Sequence, residues 1–223
     1  MSLAPLADAV LAHLVAAPDA RLKLVALTGS VAVGKSTLAR ALAPLLAVRV
    51  GAEVPVLSTD GFLHADAALT RAGLLGRKGF PETFDRARLM TCLSAVADGE
   101  RVEVPVYDHG ARGVVGAHAI GPTRWLIVEG VFAVQPCRAL DVPCCAIFVT
   151  GDLDDIEARY VARARALREG RGRRASAEAE RAARATFRSI NLVNLTEHIA
   201  PLRDTCDLVV EQRTGQTARL LAC

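Results

Sequence analysis

Nine residues, "GSVAVGKST" from Gly29 to Thr37, carry the G-x-x-x-x-G-K-[ST] spacing, whose parts are those needed to hold a chain of phosphates. Gly29 and Gly34 give the backbone a tight path. The N–H groups of Ser30, Val31, Ala32, Val33 and Thr37, together with a helix N-terminus, surround the phosphates. Lys35 reaches the β and γ groups, and Ser36 is placed to hold Mg²⁺. A nucleoside triphosphate of the ATP kind and Mg²⁺ are therefore expected. No N-K-x-D guanine-reading motif and no L-S-G-G-Q-like signature accompany the loop, which disfavours a regulatory GTPase and a transporter ATPase.

Two carboxylates stand where ligands gather in open α/β sheets, at the carboxyl ends of apolar runs. Asp60, in "STDGFL", can accept a proton from a substrate hydroxyl or help organise Mg²⁺; a turn or cap aspartate is the plainer alternative. Glu129, closing "RWLIVEG", can bind Mg²⁺ through water or serve as a buried structural carboxylate.

The elements that must position these residues can be read from periodicity. Leu22–Gly29, Val54–Thr59, Arg124–Gly130 and Cys144–Thr150 are short apolar runs, as in strands buried on both faces, and "CDLVVEQ" closes the chain with another. "RVEVPVYDH" alternates and is expected to be extended. "STLARALAPLLAV" and "DRARLMTCLSAVADG" have helical spacing, the second ending at Gly99. Asp152 is a plausible N-cap for "DLDDIEARYVARARALREG", and "SAEAERAARATFRSINLVNLTEHI" continues as helix. Between them "REGRGRRASAE" (Arg168–Glu178) is polar and glycine-punctuated, and is expected to be mobile. Strands alternating with helices imply a parallel sheet covered on both faces.

At 223 residues and 52% hydrophobic, the chain suits one compact domain. No apolar run is long enough for a membrane span. The N-terminal stretch lacks a basic leading region, and Asp8 and His13 interrupt it; Leu6, Val10, Leu11 and Leu14 instead follow a helical face. A cytoplasmic protein is expected. The six cysteines show no metal spacing and read as buried thiols. A net charge of +3 is too small to argue for nucleic acid. Among 27 basic residues only Lys23, Lys35 and Lys78 are lysine, so Lys35 and Lys78 fit sites that need a compact ammonium.

"GSVAVGKST", "TDGFL", "GLLGRKGFPETFD" and "PVYDH" occur in the order and spacing that resemble bacterial (type I) pantothenate kinases. Those belong to a wider group of P-loop kinases containing phosphoribulokinase and uridine kinase. The resemblance runs from Leu24 to Val210 and is densest between Gly29 and His109. It implies that Lys35 and Ser36 serve ATP and Mg²⁺, that Asp60 is the catalytic base, and that Tyr107, His109 and Lys78 line the acceptor site. His109 and Arg40 would lie near the phosphates. "RYVAR" resembles the family's lid pair, giving Tyr160 for the acceptor and Arg163 for the transferring phosphoryl group. "SINLVNL" points to Asn191 for the acceptor. Arg163 also stands on a helix in an arginine-dense stretch beside the mobile segment, which suits a cation closing over the γ-phosphate. Most of the other arginines there, Arg159, Arg165 and Arg168 among them, read as a solvated helix face.

The chain departs from that family in three places. Only 28 residues precede Gly29, no aromatic residue lies between Tyr160 and Phe187, and "DHGARG" lacks the tyrosine and aspartate that follow the family's histidine. The expectation is one α/β domain over residues 1–223, with a three-layer P-loop fold, a mainly parallel sheet and helices on both faces. It has an N-terminal helix within 1–20 and a helical region at 152–195 carrying a lid around 160–178. Its expected activity is ATP-dependent phosphorylation of a small-molecule hydroxyl, with pantothenate leading and a uridine-type or fructose-type acceptor as the alternative. A non-catalytic nucleotide-binding module is the rival of another class. No nucleic-acid or membrane partner is expected, and the family resemblance implies a homodimer.

Overall fold

The computed structural model describes residues 3–15, 19–213 and 218–221. Among these residues six strands form the main sheet: β1 (Lys23–Gly29), β2 (Val56–Ser58), β5 (Trp125–Glu129), β6 (Cys144–Thr150), β7 (Leu208–Glu211) and β8 (Arg219–Leu221). Their order is β2-β5-β1-β6-β7-β8, parallel throughout except that β8 runs antiparallel to β7. The remaining strands, β3 (Val102–Asp108) and β4 (Gly113–Ile120), make a separate antiparallel arm.

β1 explains why the strands read as unbroken apolar runs. All seven of its residues are buried, because the two faces of the sheet enter different cores. Val25 and Leu27 pack among residues of α1 (Ala4–Leu14) and α2 (Lys35–Val50). Leu24 and Ala26 face a second core with α4 (Arg86–Ala97) and α5 (Val134–Arg138). A short helix, α3 (Asp66–Arg71), precedes α4. Each fully buried leucine contributes roughly 1.5–3 kcal/mol relative to exposure, so layers on both faces make this sheet the stable centre.

After β6 the chain enters α6 (Leu153–Glu169), where Asp152 caps the first turn by accepting from the backbone N–H groups of Asp154 and Asp155 at 2.9 and 3.1 Å. The glycine-punctuated stretch ends at Ser176, whose hydroxyl accepts from Ala179 N to start α7 (Ala177–Thr186). Glu157, buried on α6, pairs with Arg184 and Arg188 at 3.4 and 3.2 Å and ties the two helices together.

The structure differs from the sequence reading in the region after Thr186. That segment is not one regular helix but contains two π-helical turns, Phe187–Asn191 and Leu195–Ile199, each fitting one extra residue into the coil. Periodicity also gives no element at β4. Gly113 and Gly116 interrupt its pattern, and most of the strand is exposed, so neither face carries an apolar signature. Among the described residues no helix is long and apolar enough to cross a membrane.

Candidate active site

The register of the sheet puts three loops side by side. Leu27 of β1 and Ser58 of β2 both pair with Glu129, the last residue of β5, so the segments that follow β1, β2 and β5 leave the same edge together. The glycine loop follows β1. At Gly29 (φ +143°) a Cβ would stand 2.2 Å from the Val149 carbonyl oxygen of β6, which no side chain could tolerate. Ala32 (φ +58°) and Gly34 (φ +106°) continue the left-handed turns that bring the loop round to α2.

Lys35 opens α2 and is buried, its Nζ donating to the carbonyl oxygens of Gly29 at 3.0 Å and Ser30 at 2.8 Å. Burial lowers its pKa, and the nearby Arg163 charge acts in the same direction, while Glu129 and Asp60 oppose them. Ser30 and Val33 are buried within the loop, whereas Val31, Ala32, Gly34, Ser36 and Thr37 face a cavity of about 1370 Å³. Arg40, one turn into α2, faces it too.

Asp60 reaches the cavity from the short turn Thr59–Phe62, which Ser58 Oγ caps by accepting from Asp60 N. The next residue, Gly61, lies so close to β3 that a Cβ would be 2.1 Å from the Pro105 carbonyl oxygen. That close approach seats the β3–β4 arm beside the aspartate, and His109 at the end of β3 places Nε2 3.4 Å from Asp60 Oδ2. Burial pushes the Asp60 carboxyl up. The hydrogen bond and charge of His109, with the charges of Lys35 and Arg163, outweigh it and hold the pKa below the ordinary aspartate value.

The other residues expected from sequence line the same cavity: Lys78, Tyr107, Glu129, Tyr160, Arg163 and Asn191. Tyr107 stacks edge-on with His109 at 5.1 Å, and Tyr160 leans on Phe187 at 5.5 Å. Arg163 lies over the Tyr160 ring at 5.9 Å, one turn further along α6. Ser36, Asp60 and Glu129 bring a hydroxyl and two carboxylates to one cavity, hard oxygen donors that suit Mg²⁺.

Two residues of the cavity wall, Asn194 and Arg112, are absent from the sequence reading, and a third takes a place that reading did not give it. Arg159 is a correction: it does not lie on a solvated face but is half-buried, donating from Nη1 to the Val33 carbonyl oxygen at 3.3 Å and so bracing the glycine loop. Its signal was available, since Ile156, Arg159, Tyr160 and Arg163 share one helical face at i, i+3, i+4 and i+7. Asn194 donates to the Gly79 carbonyl oxygen at 2.7 Å, joining the short helical stretch between the two π turns to the "GRKGFP" loop. Arg112 also faces the cavity, from the turn joining β3 to β4.

Residues 24–218 match the profile of the phosphoribulokinase/uridine kinase family. The chain belongs to that family. Pantothenate kinases of Rhodococcus erythropolis (strain PR4) and Corynebacterium glutamicum (strain R) are 36% and 37% identical to this kinase. The matches cover 92% and 85% of the chain and 72% and 64% of those relatives. A solved structure from Silicibacter sp. TM1040, provisionally assigned as a fructose transport system kinase, is similar with a TM-score of 0.72 and 32% identity, covering 92% of this kinase and 95% of that chain. D-glycerate 3-kinase of Cryptococcus neoformans shares the fold, with a TM-score of 0.69 at 15% identity over 99% of this chain and all of its own.

Proposed function

We propose that this kinase transfers the γ-phosphoryl group of ATP to a hydroxyl of a small polar metabolite, with pantothenate as the leading acceptor. The observation that carries the reading is the shared cavity of Lys35 and Asp60, with His109 beside the aspartate. The acceptor hydroxyl gives its proton to the Asp60 carboxylate as its oxygen attacks the γ-phosphorus, and ADP leaves on the opposite side. Glycine-loop amides and Lys35 hold the β and γ phosphates, and Arg163 neutralises charge on the group in transit. Ser36 and Glu129 would hold Mg²⁺, which would supply charge neutralisation on the phosphates. Tyr107, Lys78, Tyr160 and Asn191 complete the acceptor end.

Pantothenate leads because the relatives that match over 92% and 85% of the chain carry that activity in their names. A fructose-type sugar is the second reading. It is favoured by the Silicibacter structure, 95% of whose chain is covered here, and by Ala164 and Leu167 lining the cavity from α6 where the resemblance leads one to expect aromatics. Free thiols at Cys92, Cys137, Cys144, Cys145 and Cys206 fit the reducing cytoplasm in which we place the enzyme. ATP-dependent phosphorylation measured on pantothenate, fructose and uridine separates the acceptors. Turnover of pantothenate above the others supports the leading reading, and turnover of fructose or uridine alone overturns it.

A further inference from the structure

One carboxylate gathers two cations at the wall formed by α3, the Gly73–Asp85 loop and the β3–β4 turn. Asp66, the first residue of α3, accepts from Lys78 Nζ at Oδ1 and from Arg112 Nε at Oδ2, the latter at 2.9 Å. Lys78 Nζ also reaches the Arg112 carbonyl oxygen at 3.5 Å and stands 5.1 Å from the centre of the Tyr107 ring. Burial pushes the Asp66 carboxyl up, but the hydrogen bonds and charges of Lys78 and Arg112 outweigh it and keep it ionised. Lys78 and Arg112 line the cavity, and Asp66 holds both.

Two cations share one carboxylate, so the Asp66–Lys78–Arg112 cluster carries a net positive charge, and both of its cations line the cavity. The bond to Asp66 uses only Nε of Arg112, which leaves the paired Nη groups of the guanidinium for a planar or tetrahedral anion. Arg112 itself takes φ +59°, a left-handed conformation in which a non-glycine residue is uncommon, and Asp66 fixes its side chain there. A neutral acceptor would have to strip water from these cations without neutralising them.

We propose that Arg112, held by Asp66 beside Lys78, is a specificity-determining residue that selects acceptors bearing an anionic group, a carboxylate or a phosphate, in addition to the hydroxyl that is phosphorylated. The inference rests on the kinase reading of this cavity and narrows its substrate class.

The test uses the full chain with ATP and Mg²⁺ against four acceptors: pantothenate for the carboxylate, ribulose 5-phosphate for the phosphate, and fructose and uridine for neither. Turnover of one anionic acceptor is expected, and which one identifies the anion. For that acceptor Arg112→Gln raises KM roughly tenfold to a hundredfold, the effect of losing a charge-assisted hydrogen bond. The kcat stays within about threefold, the KM for ATP is unchanged, and Arg112→Lys recovers part of the loss. Asp66→Asn, which releases both cations, raises the same KM. An unchanged acceptor KM in Arg112→Gln overturns the inference. Turnover confined to fructose or uridine also overturns it and leaves the kinase reading standing. Absence of transfer to all four sinks both.

Discussion

His109 Nε2 stands 3.4 Å from Asp60 Oδ2, so the arm outside the main sheet completes the group that follows β2. Neither residue forms this unit alone. Asp60 is delivered by the sheet edge, His109 by the β3–β4 arm, and the fit of Gly61 against Pro105 holds the two together. An ionised carboxylate is acceptor-only in hydrogen bonding, which is the state a base needs before it takes a proton.

Replacing His109 tests how that state is maintained. A base is active when ionised, so the rate falls as pH drops through its pKa. Asp60 is held below the ordinary aspartate value, which puts the fall at low pH. His109→Gln removes the main influence opposing burial, so the pKa rises and the acid limb of the kcat profile moves to higher pH. An acid limb that stays in place, or moves lower, removes His109 from this role.

Gly61→Ala tests the seating of the arm. The added methyl would meet the Pro105 carbonyl oxygen at 2.1 Å, and backbone rather than a flexible side chain must yield. Overpacking of this kind costs about 1–3 kcal/mol. A lowered Tm with a fall in kcat is expected, and a variant with the parent's melting curve and activity would contradict the packing described here.

Glu129→Gln addresses the metal. The change is nearly isosteric at a buried position and removes only the charge. In a Mg²⁺ titration of activity the half-saturating concentration is expected to rise roughly tenfold, in keeping with a lost charged contact. A curve that superimposes on the parent's would return Glu129 to a structural role.

Much of the geometry around the glycine loop was legible because its requirements are local. The glycine loop needs particular residue types at fixed offsets, and the buried strands declare themselves through apolar runs such as Cys144–Thr150, which the structure reproduces residue for residue. The opposite wall of the cavity was less legible. Arg112, Asp66 and Lys78 come from three segments, and only the tertiary fold shows that one carboxylate serves two cations. Arg159 was hidden for a different reason. Among so many arginines on α6, a single one turned inward to the Val33 carbonyl has no compositional mark, only its place on the Tyr160 face. The π turns after Thr186 are likewise invisible to a 3.6-residue pattern, since one extra residue shifts Asn191 and Asn194 relative to α7.

The central claim is that Asp60 accepts the proton during phosphoryl transfer, and Asp60→Asn measures it most directly. The amide keeps the shape of the side chain and cannot act as the base. With the acceptor that the parent enzyme uses, kcat is expected to fall roughly a hundredfold or more. ATP binding, followed by calorimetry, should remain within a few-fold of the parent. Full turnover in Asp60→Asn would contradict the account.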